Sequence, residues 1–308
     1  MIRALYNNVR GWLRRQRTFY RLRREYRAFL NNPSPYRDMK AQELLRQGFL
    51  DSKGKSLLWA HNLQKKRTPH RKGPISSTCF PSLDETTAAA ALSQLRTNGV
   101  YVFPWRMPEE WVREAIKAAE QLKVVSRDDE SDVQFPFSIA PKCATYWHGS
   151  DVAEIPQFSD LVNDLGIREI IGRYLECEPV FDLVAAWWSF PSGAASSKSA
   201  QLYHFDMDRV RWLKVFVYLT DVGLDNGPHA FIQGSHRTIG SKVTHDGRYS
   251  DDEVFRMYPK QDEIILTGPA GTVFIEDTLG FHKGLPVQSG KRFVFEYEYS
   301  INSFGYPY

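Results

Sequence analysis

The chain has 308 residues, 42% of them hydrophobic and 14% aromatic, which allows one large domain with additions or two smaller ones. Its three cysteines stand alone at positions 79, 143 and 177. This argues against a disulfide framework and a cysteine-based zinc site, and favours a reducing, cytoplasmic compartment. The sequence has no apolar run of about 18 residues and no secretory signal, so no membrane-spanning helix is predicted.

Residues 1–32 predict a basic amphipathic helix. Apolar residues recur there at three- and four-residue steps, and the pattern ends at Asn31-Asn32-Pro33. The segment holds nine Arg, no Lys and one acidic residue, Glu25, for a formal charge of +8. Because the whole chain carries only +4, the remainder sums to −4.

Three interpretations of this basic helix are open. It packs on a catalytic domain with a solvated Arg face, or it lies on an anionic lipid surface and makes the protein peripheral to a membrane. The third interpretation is contact with RNA or another acidic partner, although nucleic acid is not the partner we expect. Residues 33–80 predict an arm or linker, with a short helix at 36–48 and a basic stretch at 51–78 that shows no clear period.

Residues 81–308 predict a catalytic domain of mixed helices and strands. The pattern indicates helices at 84–99, 108–122 and 158–176, and strands at 100–103, 180–190 and 212–219. Residues 126–150 are rich in loops and include Trp147 and His148, which are candidate substrate contacts. Residues 191–200 predict a flexible loop, of a kind that often covers an active site.

Charged and hydroxyl-bearing residues occur at alternating positions of two strands near the carboxyl terminus. Lys214 and Tyr218 share one strand face, and a buried Lys214 would need an anion: an anionic cosubstrate, a substrate carboxylate or a protein carboxylate. Both residues are candidate cosubstrate contacts. Glu296 alternates onto the same face as Arg292 and is a candidate substrate contact or partner of Lys214.

The strongest functional signal is a pair of histidines with one carboxylate. His204 and Asp206 are two positions apart, so an extended chain points both side chains to one face. His282 follows much later, and turn residues separate it from Arg292, which predicts a hairpin between them. Two His and one carboxylate form the facial triad of non-haem Fe(II) sites, and Arg binds carboxylates with paired hydrogen bonds.

These residues stand among motifs that resemble the phytanoyl-CoA dioxygenase family of Fe(II)- and 2-oxoglutarate-dependent oxygenases. The matching segments are Thr220-Asp221-Val222, Asp225-Asn226-Gly227-Pro228, Gln233-Gly234-Ser235-His236-Arg237 and Gly271-Thr272-Val273-Phe274. The resemblance covers roughly residues 81–308 and departs from the usual pattern at Gln233 and Thr272.

The resemblance implies a mainly β fold with flanking helices, namely a double-stranded β-helix or cupin-like jelly roll. It implies that His204, Asp206 and His282 bind Fe(II), that Arg292 binds 2-oxoglutarate, and that O2 is consumed to hydroxylate a small-molecule substrate. An amphiphilic, lipid-linked or saccharide substrate is compatible with the basic helix. Desaturation, cyclisation or demethylation by the same oxidant stays open, as does a non-enzymatic jelly-roll protein that holds a metal.

Overall fold

The structure is a computed structural model in which six stretches of the chain are described. They are residues 2–32, 38–80, 82–126, 133–139, 145–191 and 201–305. The predicted loop at 191–200 falls outside the described residues apart from position 191. Nothing further is said of it.

Helices dominate the first half of the described chain. They are α1 (Ile2–Asn31), α2 (Asp38–Ser52), α3 (Lys55–Arg67), α4 (Glu85–Thr97), α5 (Glu109–Ala119), α6 (Pro156–Val162), α7 (Leu165–Leu175), α8 (Ser235–Lys242) and α9 (Asp251–Met257). Among the described helices, none combines the length and apolar character needed to cross a membrane.

Strands dominate the second half. They are β1 (Val100–Arg106), β2 (Lys123–Ser126), β3 (Gln134–Pro136), β4 (Thr145–His148), β5 (Val180–Ser189), β6 (Trp212–Tyr218), β7 (His229–Ile232), β8 (Glu263–Leu266), β9 (Thr272–Glu276), β10 (His282–Gly284) and β11 (Arg292–Ser300). Their described pairings are all antiparallel.

The strands form two sheets that enclose a cavity. The larger sheet has the order β1-β9-β6-β11-β5-β4-β2-β3, and the smaller has the order β10-β7-β8. Phe216 and Phe274 of the larger sheet belong to the same buried apolar cluster as Phe231 and Leu266 of the smaller one. The two sheets therefore face each other as a jelly roll, and the predicted α+β fold with a double-stranded β-helix is confirmed.

The central strands of the larger sheet are covered on both faces. Every residue of β6 and β11 is buried. Along β11, Phe293 and Phe295 join the main core, whereas Arg292 and Val294 alternate onto the side that lines the cavity. Because successive side chains point to opposite faces of a strand, one face of β11 packs in the core and the other lines the cavity.

Two local predictions need correction. His282 and Arg292 do not form a hairpin, because β10 lies in the smaller sheet and β11 in the larger sheet; the seven residues between them pass from one sheet to the other. The predicted helix at 158–176 is two helices, α6 and α7. Asp164 separates them by accepting a hydrogen bond from the Ile167 amide as the amino-terminal cap of α7.

Helices α1 to α3 share one buried core with the helices and strands that follow them. On α1, Leu22, Tyr26 and Phe29 are at most 3% exposed, and the rings of Tyr26 and Phe29 contact Phe304 edge-on. The described Arg side chains of α1 are exposed, as the first of the three interpretations of this helix expects. Helix α3 forms within the stretch whose sequence has no clear period, because tertiary burial of Leu57 and Ala60 stabilises it.

Candidate metal centre and its cavity

Three predicted ligands meet at one end of the cavity. One ligand atom from each of His204, Asp206 and His282 lies within 4.8 Å of the others. His204 and His282 exchange backbone hydrogen bonds of 3.0 and 2.9 Å, and the Asp206 amide donates to the Thr278 carbonyl at 2.8 Å. The first ligand segment is therefore an extended chain pinned by single bridges, rather than a strand inside a sheet.

Both imidazoles are held in the tautomer that a metal requires. The Nδ1 atom of His204 lies 3.0 Å from the Leu202 carbonyl, and that of His282 lies 2.9 Å from the Gly280 carbonyl. Because a carbonyl only accepts, Nδ1 carries the proton and Nε2 keeps its lone pair for a metal. Burial, followed for His204 by the charge of the other imidazole, lowers the pKa of each ring and favours this neutral form.

The third ligand belongs to a buried charge cluster around Lys214. The Lys214 ammonium lies 2.9 Å from Asp206, 3.3 Å from Asp208, 3.8 Å from Glu296 and 3.7 Å from Glu298. Burial alone would raise the pKa of Asp206, but the ammonium and the two imidazoles hold it below its ordinary value. The Asp206 carboxylate is therefore charged and oriented before any metal arrives.

Lys214 thus has the protein carboxylates as its partners, one of the three possibilities that the sequence left open. Burial would lower the pKa of Lys214, but the surrounding carboxylates, led by Asp206, raise it well above its ordinary value. Tyr218 also lines the cavity; its hydroxyl donates to the Leu266 carbonyl at 2.9 Å and accepts from the His229 amide at 3.0 Å. Direct cosubstrate contacts by Lys214 and Tyr218 stay predictions.

Arg292 is a buried cation in the same cavity. Its side chain is 8% exposed, and its guanidinium donates to the Gly227 carbonyl and, at 3.2 Å, to the Ser189 hydroxyl. Within the described residues, no carboxylate forms an ion pair with it, and its Nε atom is buried without a hydrogen-bond partner. A Cβ atom at Gly284 would lie 3.4 Å from the guanidinium, so the glycine leaves room beside it. These features fit an anionic ligand such as the distal carboxylate of 2-oxoglutarate.

An aromatic pair forms part of the cavity wall. Trp147 and Trp187 are cross-strand neighbours on β4 and β5, and their rings stack with centroids 5.1 Å apart. Both line the cavity, together with His148 and Glu296. The Nε2 atom of His148 accepts a 3.1 Å hydrogen bond from Trp188, and burial lowers the pKa of His148 to about 4. The substrate contacts proposed for Trp147, His148 and Glu296 stay predictions.

His229 and Glu276 are cavity-side residues that sequence reasoning missed. The His229 side chain is 12% exposed, and its ring stacks on that of His282 with the centroids 5.5 Å apart. Its Nε2 atom lies 2.9 Å from Glu276. Burial raises the pKa of Glu276 to about 8 and lowers that of His229 to about 3. His229 opens strand β7, and the alternation of that strand was the signal that could have placed it inside.

Three further polar residues that are half-buried or exposed line the cavity, and we call them the mouth. Gln42 and Arg46 come from α2, and Arg248 comes from the connection between α8 and α9. Gln42 and Arg46 are four positions apart, so they share one face of α2. The whole cavity has a volume of about 890 Å³. Nothing in the sequence pattern indicates that α2 reaches it.

A jelly roll with a two-histidine, one-carboxylate cluster and a buried arginine in one cavity is the arrangement of non-haem iron oxygenases that use 2-oxoglutarate. Residues 95–294 match the family model for phytanoyl-CoA dioxygenase. The chain therefore belongs to the phytanoyl-CoA dioxygenase family and is a 2-oxoglutarate-dependent dioxygenase, with iron, 2-oxoglutarate and O2 as its cofactor and cosubstrates. This membership decides against the non-enzymatic alternative.

Solved structures share the fold at low sequence identity. The apo-form of EctD from S. alaskensis is 18% identical, with a TM-score of 0.51 over 75% of this chain and 82% of that one. The epimerase SnoN from nogalamycin biosynthesis is 15% identical, with a TM-score of 0.50 over 70% of this chain and 83% of that one. No curated protein sequence matches the chain at a significant level.

Proposed function

We propose that this protein hydroxylates a small-molecule or amphiphilic substrate in the metal cavity, with His204, Asp206 and His282 as Fe(II) ligands and Arg292 as the 2-oxoglutarate anchor. The observation that carries the proposal is the juxtaposition of two kinds of site in one cavity. One is a neutral-imidazole and carboxylate cluster suited to Fe(II). The other is a buried guanidinium without an acidic partner among the described residues.

The residues divide the work as follows. When bound, iron with 2-oxoglutarate and dioxygen supplies an oxidant that removes a hydrogen from the substrate, while 2-oxoglutarate becomes succinate and carbon dioxide. Lys214 holds the Asp206 carboxylate in place, and Arg292 fixes the cosubstrate by its distal end. The aromatic wall formed by Trp147 and Trp187 offers a flat apolar surface to the substrate and helps to exclude water.

Hydroxylation has a competitor in other oxidative outcomes. Desaturation, cyclisation and demethylation begin from the same hydrogen removal, and a similarly folded protein, SnoN, is described as an epimerase. We favour hydroxylation because it needs no further residue to redirect the reaction. Product analysis by mass spectrometry separates the outcomes, because hydroxylation alone adds one oxygen atom to the substrate.

Anaerobic titration tests the core of the proposal without a known substrate. Apo-protein receives Fe(II) and then 2-oxoglutarate, and the weak visible charge-transfer band of the chelate is recorded. We expect the band in the wild-type protein and its loss in His204→Ala. If Fe(II) binds to the wild-type protein but no band forms, the proposed use of 2-oxoglutarate is wrong.

We propose a cytoplasmic location with α1 as a contact for anionic membrane surfaces. Free thiols at Cys79 and Cys177 suit a reducing compartment. Exposed Arg side chains and the 68% exposed Tyr20 suit a lipid headgroup layer. The test is co-sedimentation with anionic and neutral vesicles. Binding to anionic vesicles should weaken when Arg15, Arg17 and Arg21 are replaced by Gln; equal binding by this variant and the wild-type protein would contradict the membrane role.

A further inference from the structure

The mouth of the cavity carries positive charge that the proposed reaction does not use. Arg46 and Arg248 both line the cavity that holds the three candidate iron ligands. Arg46 forms a 2.8 Å ion pair with Asp246, and its side chain stays 42% exposed. Its Nε atom is buried and has no hydrogen-bond partner. The exposed part of this guanidinium is therefore open to a ligand.

Arg248 is more completely available. In the described part of the chain, no hydrogen bond or ion pair engages its guanidinium. Its backbone is nevertheless fixed, because the amide of the next residue, Tyr249, donates to the Tyr203 carbonyl at 2.8 Å. Tyr203 directly precedes the candidate ligand His204. Arg248 is thus held on the segment beside the metal end, with its charged group free.

The positive charge of Arg248 is unmatched at the mouth, apart from the charges of the metal end. The formal charges of Fe(II), the Asp206 carboxylate, dianionic 2-oxoglutarate and the Arg292 guanidinium sum to zero. At the metal end, carboxylates outnumber the single ammonium of Lys214. At the mouth, among the described residues, Asp246 pairs with Arg46 and no carboxylate pairs with Arg248. A cleft lined by surplus charge of one sign concentrates ligands of the opposite sign, and Arg binds oxyanions through two parallel hydrogen bonds.

We propose that the substrate carries an oxyanion group, a phosphate ester or a carboxylate, which Arg248 binds at the mouth with Arg46 beside it. The inference rests on the proposed function, because it assigns the substrate of that same cavity. It also gives α2 a role in the active site: this helix lies before the family-matched residues 95–294, yet it supplies one of the two guanidinium groups. Arg46 and Arg248 would set specificity without touching the reacting atoms.

Calorimetric titration of the full chain tests the inference. The protein is loaded anaerobically with Fe(II) and saturating 2-oxoglutarate, so that Arg292 is already occupied. The probes are glycerol 3-phosphate, glycerate and dihexanoyl phosphatidic acid, which distinguish a free phosphate ester, a carboxylate and a lipid phosphate. Glycerol is the neutral probe. We expect at least one oxyanion to bind and glycerol not to bind.

Variants locate the binding. Arg248→Met should weaken binding of the oxyanion about tenfold or more, since a hydrogen bond to a charged group contributes about 1.5–3 kcal/mol. Arg46→Met should weaken it less, because Asp246 already engages that side chain. Arg113→Met is the matched control, because it removes the same charge elsewhere on the surface. Arg113 is 68% exposed and pairs with Glu110.

Three outcomes overturn the inference: no oxyanion binds, glycerol binds as well as glycerol 3-phosphate, or Arg248→Met and Arg113→Met have equal effects. Failure of 2-oxoglutarate to bind in the loading step would instead count against the proposed function. The two failures are therefore distinguishable in one series of measurements.

Discussion

The metal end of the cavity and its mouth are built in different ways. At the metal end, His204 and His282 are fixed through both their backbones and their Nδ1 atoms. At the mouth, within the described residues, Arg46 forms an ion pair with Asp246 and no side chain engages the guanidinium of Arg248. The metal end is organised before it binds anything, as chemistry requires, whereas the mouth keeps charged groups that only a ligand can satisfy.

Removal of a metal ligand should produce the largest effect. His282→Ala deletes one of three ligand atoms and leaves only His204 and Asp206 of the candidate triad to hold the metal. We expect Fe(II) affinity to fall by about 100-fold or more, above the 10–100-fold typical of residues that only support ligands. Anaerobic Fe(II) titration with calorimetric detection measures it. His245→Ala is the control, because His245 is exposed; a similar loss in that variant, or unchanged affinity in His282→Ala, would refute the triad.

Loss of the proposed 2-oxoglutarate anchor should give the second-largest effect. Arg292→Ala removes a buried guanidinium that lines the same cavity as the three candidate ligands but donates to Gly227 and Ser189. We expect 2-oxoglutarate affinity to fall about 10–100-fold, since paired hydrogen bonds to a carboxylate are lost, while Fe(II) affinity stays within twofold. The intensity of the chelate band against 2-oxoglutarate concentration measures it.

Arg292→Lys sharpens the same comparison. Lysine keeps the positive charge but not the planar pair of donors, so affinity should recover only in part. Full recovery would mean that charge alone binds the cosubstrate. Equal loss of Fe(II) and 2-oxoglutarate affinity in Arg292→Ala would mean that this residue supports the fold, and that the anchor assignment is wrong.

The metal end is also the part that the sequence predicts best. His204, Asp206 and His282 were recognisable because their chemistry demands particular residue types, and the strands around them have a period of two. The jelly roll was implied by the family motifs, and the predicted strands are compatible with it. Local signals were sufficient there because residue type and spacing identify the candidate ligands, even though His204 and Asp206 lie outside a regular strand.

The remaining parts depend on tertiary contacts that no local pattern encodes. The segment predicted as a hairpin between His282 and Arg292 crosses from one sheet to the other. Turn residues indicate that the chain reverses direction, but they do not indicate which sheet the next strand joins. His229 is buried by its pairing with Glu276, far away in sequence. Arg46 reaches the mouth only because α2 packs against α1 and α8.

Weakening the contacts that hold the amino-terminal helices should give the smallest effect. It tests whether these helices and the metal end are stabilised independently. Tyr26 on α1, Gln64 on α3 and Asn302 form a buried trio: the Asn302 amide donates to the Tyr26 hydroxyl at 2.8 Å and to Gln64 at 2.9 Å. The Tyr26 hydroxyl donates to Gln64 at 3.3 Å. This trio joins α1 and α3 to the segment that follows β11.

Tyr26→Phe removes the hydroxyl but keeps the ring that contacts Phe304 edge-on at 5.0 Å. The free energy of unfolding should fall by about 1 kcal/mol, because Asn302 retains Gln64 as an acceptor. Urea denaturation measures this fall, with Tyr20→Phe as the exposed control. Fe(II) and 2-oxoglutarate affinities should not change, since the trio touches neither site. If these affinities fall together with the free energy of unfolding, the amino-terminal helices and the metal end form one coupled unit. The metal end would then not be organised independently of those helices.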